Sequence, residues 1–278
     1  MAWTLTDDLQ EFLARADGFL RRDPVANTVT LTVTEHLCAQ GPGVYGKAFF
    51  GWWTDGGPVE GTVLRTGAYP PLLSAMPERA AHELARALAR RGEAVSDVNA
   101  ERTAAAAFAG TWSDETGAVS RVAERQRLYR LDRLIVPDPP PEGAARIAGD
   151  ADRALLLDWF AAFHQEAGGH GGPNPVVFDR KLGDGCITLW EDGGRPVAVA
   201  GRTPIVAGVA RVVSVYTPVE HRRRGYGAAV TAAVTRAARE AGAADVVLFT
   251  DLANPTSNGV YQRLGYRPVV DRVVVTFT

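Results

Sequence analysis

Cysteine is scarce in this chain. Its 278 residues hold two, Cys38 and Cys186, with no Cys-x-x-Cys pair and no histidine cluster beside either. That argues against both a disulfide scaffold and a structural zinc site. An excess of one charge is missing too. Thirty Lys and Arg against 32 Asp and Glu leave a net charge of −2, so any basic function has to be local. No apolar run approaches the roughly 18 residues of a membrane span. Met1 to Ala16 places Asp7, Asp8 and Glu11 where a signal peptide would have a basic start and an apolar centre. These absences predict a soluble, cytoplasmic protein with no bound metal and with neither nucleic acid nor membrane as a partner.

What is present suggests two domains. The chain is longer than the about 100–200 residues of one domain, and its 46% apolar and 22% charged content is ordinary for a globular protein. The boundary reads at Val136-Pro137-Asp138-Pro139-Pro140-Pro141-Glu142-Gly143, whose prolines favour an extended, semi-rigid connector. Residues 1–136 and 144–278 are the domains, with 137–143 as the linker.

The second half reads as mixed α/β. Ala144 to Ala148 is a strand candidate. Asp150 or Asp152 can cap a helix to about Glu166, with Leu155, Leu156, Trp159, Phe160 and Phe163 on its apolar face. Gly168 to Pro173 is a glycine-rich loop. Strands follow at Cys186–Trp190 and Val197–Arg202, joined by Glu191-Asp192-Gly193-Gly194, and again at Val206–Thr217. Next come a long helix, a buried-looking strand Asp245–Thr250, a short helix from Pro255 to Arg263 and an extended run Pro268–Phe277.

The first half echoes this order. Asp55-Gly56-Gly57 matches Asp192-Gly193-Gly194, each after a tryptophan-bearing run. A strand Gly61–Arg65 and a helix Pro77–Arg91 follow, and Asp97-Val98-Asn99 is matched with Asp251 to Asn254 as a helix opening. Thr28 to Thr34 has strand composition. However, Asp23-Pro24 is a good helix start, and Val25, Val29, Val33 and Leu37 share a helical face, so helix is preferred.

The chemistry gathers at Arg222-Arg223-Arg224-Gly225-Tyr226-Gly227, between the β-branched run 210–215 and the long helix. A strand turning through glycines into a helix presents bare N–H groups and a positive dipole end, and the arginines add charge at the same place. That is a phosphate site. It is not a Walker loop, since no Gly-Lys-Ser/Thr follows, nor a dinucleotide fingerprint, since position 228 is alanine.

The pattern Arg-x-x-Gly-x-Gly, filled by Arg222, Gly225 and Gly227, resembles the pyrophosphate loop of the GNAT N-acetyltransferase superfamily. A second segment, Asn254-Pro255-Thr256-Ser257-Asn258-Gly259-Val260-Tyr261-Gln262-Arg263-Leu264-Gly265-Tyr266, resembles the Asn…Tyr…Gly-Tyr segment of the same family, one helix and one strand later. The resemblance covers roughly residues 143–278 well and the first half in outline. It implies two N-acetyltransferase-like domains, each a mixed, mostly antiparallel sheet flanked by helices, with the C-terminal one binding acetyl-CoA and the N-terminal one degenerate.

The resemblance assigns roles. The N–H groups of Arg223 to Ala228, with Tyr226 and Gly227 among them, would cradle the pyrophosphate, aided by Arg222 and Arg224. Backbone groups around Val215, Tyr216 and Thr217 would pair with the pantetheine arm. Asn254 and Asn258 would contact the cofactor, and Tyr261 would protonate the leaving thiolate. The bland readings are a helix cap for Asn254, packing for Tyr226 and Tyr266, and solvent for Arg224. No single general base stands out among Glu166, His164, His170, Glu220 and Asp251, and a water relay is equally open. The first half has no matching loop after Leu73, and no proton donor near Ala106 or Ala107.

The expected activity is acetyl transfer from acetyl-CoA to an amine of a small, amino-acid-like acceptor by direct attack. The oligomeric state is open between a monomer and a homodimer. A longer acyl chain, an oxygen or sulfur acceptor, or a non-catalytic CoA-binding protein are the competing readings.

Overall fold

The computed structural model describes residues 2–41, 43–67, 69–167 and 174–278. The glycine-rich loop at 168–173, and His170 within it, lie outside the described residues. The chain forms two compact units: one of Met1–Leu128, Asp251–Ala253 and Val269–Thr278, the other of Tyr129–Thr250 and Asn254–Pro268. The first division thus falls at 128/129 rather than in 137–143, and the C-terminal residues group with the first unit.

The first unit contains β1 (Ala2–Thr6), α1 (Leu9–Leu20), α2 (Thr28–Gln40), β2 (Ala48–Thr54), β3 (Val59–Thr66), β4 (Leu72–Leu73), α3 (Glu78–Arg90), β5 (Asp97–Glu101), α4 (Arg102–Thr116) and the start of β6 (Ser120–Leu131). β1, β2, β3 and β4 pair antiparallel in that order, and β4 runs parallel to β5. The helical reading of Thr28–Thr34 holds for a reason composition does not show. Thr32 Oγ1 donates to the Thr28 carbonyl (2.7 Å) and Thr34 Oγ1 to that of Thr30 (3.0 Å), so the threonines are buried without an unpaired hydroxyl. The buried face accordingly carries threonines with Leu31 and Leu37, whereas Val29 and Val33 are only partly buried.

The grouping of the last strand with the first unit has a specific cause. β12 (Tyr266–Phe277) pairs antiparallel with β5, Arg272 opposite Glu101 and Thr276 opposite Asp97. Arg272 is buried there, and its guanidinium donates to Asn99 Oδ1 (2.9 Å), the Leu73 carbonyl (2.8 Å) and the Asn99 carbonyl (3.1 Å). Val273, Val275 and Phe277 enter the same core as Leu84, Val98, Phe108 and Trp112. Asp97-Val98-Asn99, expected at a helix opening, is therefore strand β5, equivalent to the strand before Asp251 rather than to the turn after it.

The second unit follows the same order. It holds β7 (Ala144–Ile147), α5 (Arg153–Ala167), α6 (Pro175–Gly183), β8 (Ile187–Asp192), β9 (Arg195–Arg202), β10 (Val209–Tyr216), α7 (Tyr226–Glu240), β11 (Asp245–Asp251) and α8 (Pro255–Arg263). β7 to β10 form an antiparallel meander, and β10 is parallel to β11. One apolar cluster joins Ala198, Ala200, Ala210 and Val212 to α7. A second joins Ile187, Leu189 and Val199 to Leu156 and Phe160 of α5 and Phe178 and Leu182 of α6. Helix α6, not anticipated from sequence, starts where Asn174 accepts the N–H groups of Val176 and Val177 and Pro175 sets the first turn. The connector ends firmly: Gly143 has φ +99°, where a Cβ would lie 1.9 Å from the Glu191 carbonyl oxygen.

Candidate active site

The site is built where β10 leaves β11. The parallel pairing runs from Val209↔Asp245 to Val212↔Leu248 and stops, although the two strands continue to Tyr216 and Asp251. On the other side of β10 the register with β9 shifts between Val213 and Tyr216, and Ser214 sits at φ +52°. A bulge of this kind bends the strand and frees main-chain groups from the ladder. The backbone from Val213 to Thr217 is therefore placed to pair with an extended, peptide-like ligand.

The chain then turns through a short 3-10 segment, Val219–His221, into the arginine-glycine loop. Arg223 has φ +61° and Gly225 φ +85°, and Gly225 is the residue that caps α7. Ala229 N–H reaches the Gly225 carbonyl at 3.0 Å, the first bond of the helical ladder. The N–H groups of the residues before it have no partner within the helix. Alternating left-handed and extended residues make a concave row of such donors. Gly227 lies against the strand end, where a Cβ would stand 3.4 Å from Thr217 Oγ1. Arg223, Arg224 and Gly225 are exposed. The Tyr226 ring instead enters the core and its hydroxyl donates to Asp192, leaving its backbone N–H as the part of the residue at the loop.

Arg222 is engaged. Its Nε donates to the Thr217 carbonyl (2.9 Å), and its terminal nitrogen to Glu166 Oε1 and Oε2 (2.9 and 2.7 Å). The guanidinium lies 5.8 Å from the centre of the Tyr216 ring, and the Tyr216 hydroxyl donates to Glu166 (3.3 Å). Burial, then the Glu166 charge, holds the Tyr216 hydroxyl above its ordinary pKa. Glu166, a candidate base in the sequence, thus orients Arg222. Both members of the pair are substantially exposed, so the bridge contributes about 0–1 kcal/mol.

Asn254 caps α8 by accepting the Ser257 N–H (3.0 Å). Asn258 is tied on both sides: its Nδ2 donates to the Asn254 carbonyl (2.7 Å) and its Oδ1 accepts from the Tyr129 hydroxyl (3.0 Å). Tyr261 is buried beside Tyr266, ring centres 6.2 Å apart and edge to face. Burial pushes its pKa up to about 12, and no described residue hydrogen-bonds its hydroxyl. Asp251 accepts the Ala253 N–H (2.8 Å).

Two groups were not anticipated. His221, just before Arg222, has a buried Nδ1 without a hydrogen-bond partner. Lys181 of α6 has its pKa pushed down to about 8 by burial and then by the charge of Arg211 on β10. His164 of α5, named in the sequence reading, is held below its ordinary value by burial and then by Lys181. A lysine in an unrecognised helix carries no motif, so only the packing reveals that it shares this side of the sheet. Among the described residues no group of three or more His, Cys, Asp or Glu could hold a metal, and no helix is long and apolar enough to cross a membrane. Both cysteines are free, Cys38 exposed and Cys186 buried.

Residues 153–266 match the model of the acetyltransferase (GNAT) family. No curated protein matches the chain by sequence. Among solved structures, a GCN5-related N-acetyltransferase from Sphaerobacter thermophilus aligns over 98% of this chain and 94% of its own at 16% identity, with a TM-score of 0.62. An acetyltransferase of the GNAT family from Colwellia psychrerythraea aligns over 100% and 99% at 12% identity and TM-score 0.59. A GCN5-related N-acetyltransferase from Kribbella flavida aligns over 78% and 86% at 23% identity and TM-score 0.54. These likenesses establish the fold, and two of them span essentially the whole chain. The parted strands and the arginine-glycine loop both lie inside residues 153–266, the segment that matches the acetyltransferase (GNAT) family model.

Proposed function

We propose that the protein is an acetyl-CoA-dependent N-acetyltransferase acting on the amine of a small, amino-acid-like molecule, with one active site, in the second unit. The observation that carries this reading is the end of the β10–β11 pairing at Val212↔Leu248 directly ahead of a glycine-capped helix. The residues fit coenzyme A: a row of backbone donors for a pyrophosphate, and a freed strand edge for a peptide-like arm. Bound acetyl-CoA supplies an acetyl thioester for direct attack by the amine. The N–H groups of residues 223–228 would hold the diphosphate, and the backbone at Val215 and Thr217 would hold the arm and polarise the acyl carbonyl.

Tyr261 would give the proton that the departing thiolate takes up. Its pKa of about 12 keeps it protonated at neutral pH, and its unpartnered hydroxyl leaves that proton available. Asn254 would present α8 at the required place through its cap. On the acceptor side, burial and then Lys181 lower the pKa of the His164 imidazole, which favours its neutral, proton-accepting form. Glu166 is committed to Arg222. The test is thiol release from acetyl-CoA across a panel of amines, amino acids, alcohols and thiols, with octanoyl-CoA run in parallel. Turnover with one amine class supports the reading. Tight CoA binding without turnover of any acceptor would point to a binding protein instead, and preference for the longer thioester would move the acyl assignment.

A further inference from the structure

A second concave site lies wholly within the first unit. A cavity of about 470 Å³ is lined by Ala105, Ala106, Ala109 and Gly110 of α4, by Ser120 to Val122 and Arg125 of β6, by Val273 and Val275 of β12, and by Arg102. That volume is in the range of small-molecule sites, about 300–1,000 Å³. Its composition is one-sided: three arginines, an alanine-valine floor and no acidic side chain. Among the described residues no ion pair or hydrogen bond engages the guanidinium of Arg121 or Arg125; the Arg121 backbone carbonyl accepts from the Thr276 hydroxyl (3.3 Å). Arg102 lends its charge to Asp271, whose carboxylate Arg127 holds through two hydrogen bonds (2.6 and 2.9 Å).

The corresponding helix of the second unit shows why the space exists. α8 carries Asn258, Tyr261 and Gln262, and the Tyr129 hydroxyl of β6 meets both Asn258 and Gln262 at 3.0 Å. The part of α4 that faces the hollow is Ala105, Ala106, Ala109 and Gly110, whose small side chains leave the space against the strands open. Surface arginines usually spread and pair. Three that line one apolar hollow, with no side-chain partner among the described residues for Arg121 or Arg125, match a ligand with a single anionic head, since the guanidinium fork suits carboxylate and phosphate.

We propose that this cavity is a binding site for a small organic anion: one carboxylate or phosphate head on a short apolar body, the head among Arg102, Arg121 and Arg125 and the body on the Ala105–Ala109 floor. The site is separate from the acetyl-transfer site and does not depend on that function. The test titrates the full chain with octanoate, octyl phosphate, acetate, inorganic phosphate and octylamine by calorimetry, each also with saturating coenzyme A. Octanoate or octyl phosphate should bind at least tenfold tighter than its headgroup alone, with octylamine silent; the stronger of the two identifies the head. Binding should survive coenzyme A and weaken with salt. The double change Arg121→Glu with Arg125→Glu, on exposed side chains, should weaken it at least tenfold with an unchanged melting temperature, and Ala106→Trp should abolish it by filling the floor. Equal binding by octylamine, unaltered affinity in the double variant, or displacement by coenzyme A would overturn the assignment. If Ala106→Trp does not fold, the double variant alone decides.

Discussion

The connection from β4 to α3 and the connection from β10 to α7 occupy the same step of two similar meanders, and they are built differently. In the first unit the chain passes from Leu73 to Glu78 through Ser74-Ala75-Met76-Pro77, with a proline at the cap and no side-chain cap bond. In the second it runs from Tyr216 through a 3-10 turn and the left-handed residues Arg223 and Gly225 into α7. The helices that follow the next strand differ in the same sense: α4 carries alanines, α8 carries Tyr261 and its neighbours. A common scaffold has kept anion-donor geometry and a phenol in one unit and neither in the other. Under the proposed function, chemistry in this fold would depend on one loop and one helix face rather than on the sheet.

The sharpest way to break that contrast is at the phenol. Tyr261→Phe should lower turnover by about 10²–10⁴-fold, with CoA affinity within twofold by calorimetry. An unchanged rate across pH would remove Tyr261 from the mechanism and with it the chief difference between α8 and α4. Next in size, Arg272→Leu should destabilise the protein by about 2–4 kcal/mol, because the carbonyls of Leu73 and Asn99 lose a buried donor. Denaturant unfolding measures this, and a loss under 1 kcal/mol would mean the last strand is not anchored as described.

Gly225→Val forces a β-branched residue to φ +85°, a strain of about 1–3 kcal/mol. Acetyl-CoA affinity should fall about tenfold to hundredfold, whereas Ala75→Val in the shorter connection should leave it untouched. Equal effects would erase the contrast between the loops. The smallest effect concerns pH. The Lys181 pKa of about 8 lies below its ordinary 10.5, so the folded state resists its protonation. The penalty is complete below about pH 8 and fades as pH rises to about 10.5, where the unfolded chain also loses the proton. The stability advantage of Lys181→Met over the native chain should shrink across that window. A constant gap would indicate an unburied ammonium.

How far the sequence could be read follows from what each feature depends on. The arginine-glycine loop and Pro255–Arg263 were legible because glycine, proline and asparagine declare their backbone needs within a few residues. A helix was legible at Thr28, although it begins after Asn27 rather than at Asp23-Pro24; its buried threonines were not, since their i−4 bonds depend on the helix already existing. Asp97-Val98-Asn99 was misplaced because a strand of this length has no signature apart from its partners, one of them Val274 from the far end of the chain. Glu166 looked like a free carboxylate, and only the packing brought it to Arg222. Lys181, in a helix that was not foreseen, gave no sign of its depressed pKa.

By itself the sequence determined where backbone N–H groups would be bare, where helices begin, and which half holds a phenol in the right segment. All of these are local, set by the torsional and capping preferences of adjacent residues. The tertiary structure alone decided that β10 and β11 part after Val212, that β12 serves the first unit through Arg272, and that α4 leaves a hollow beneath three arginines. Each depends on residues far apart in the chain, and burial and hydrogen-bond satisfaction act on them only once the sheet has formed.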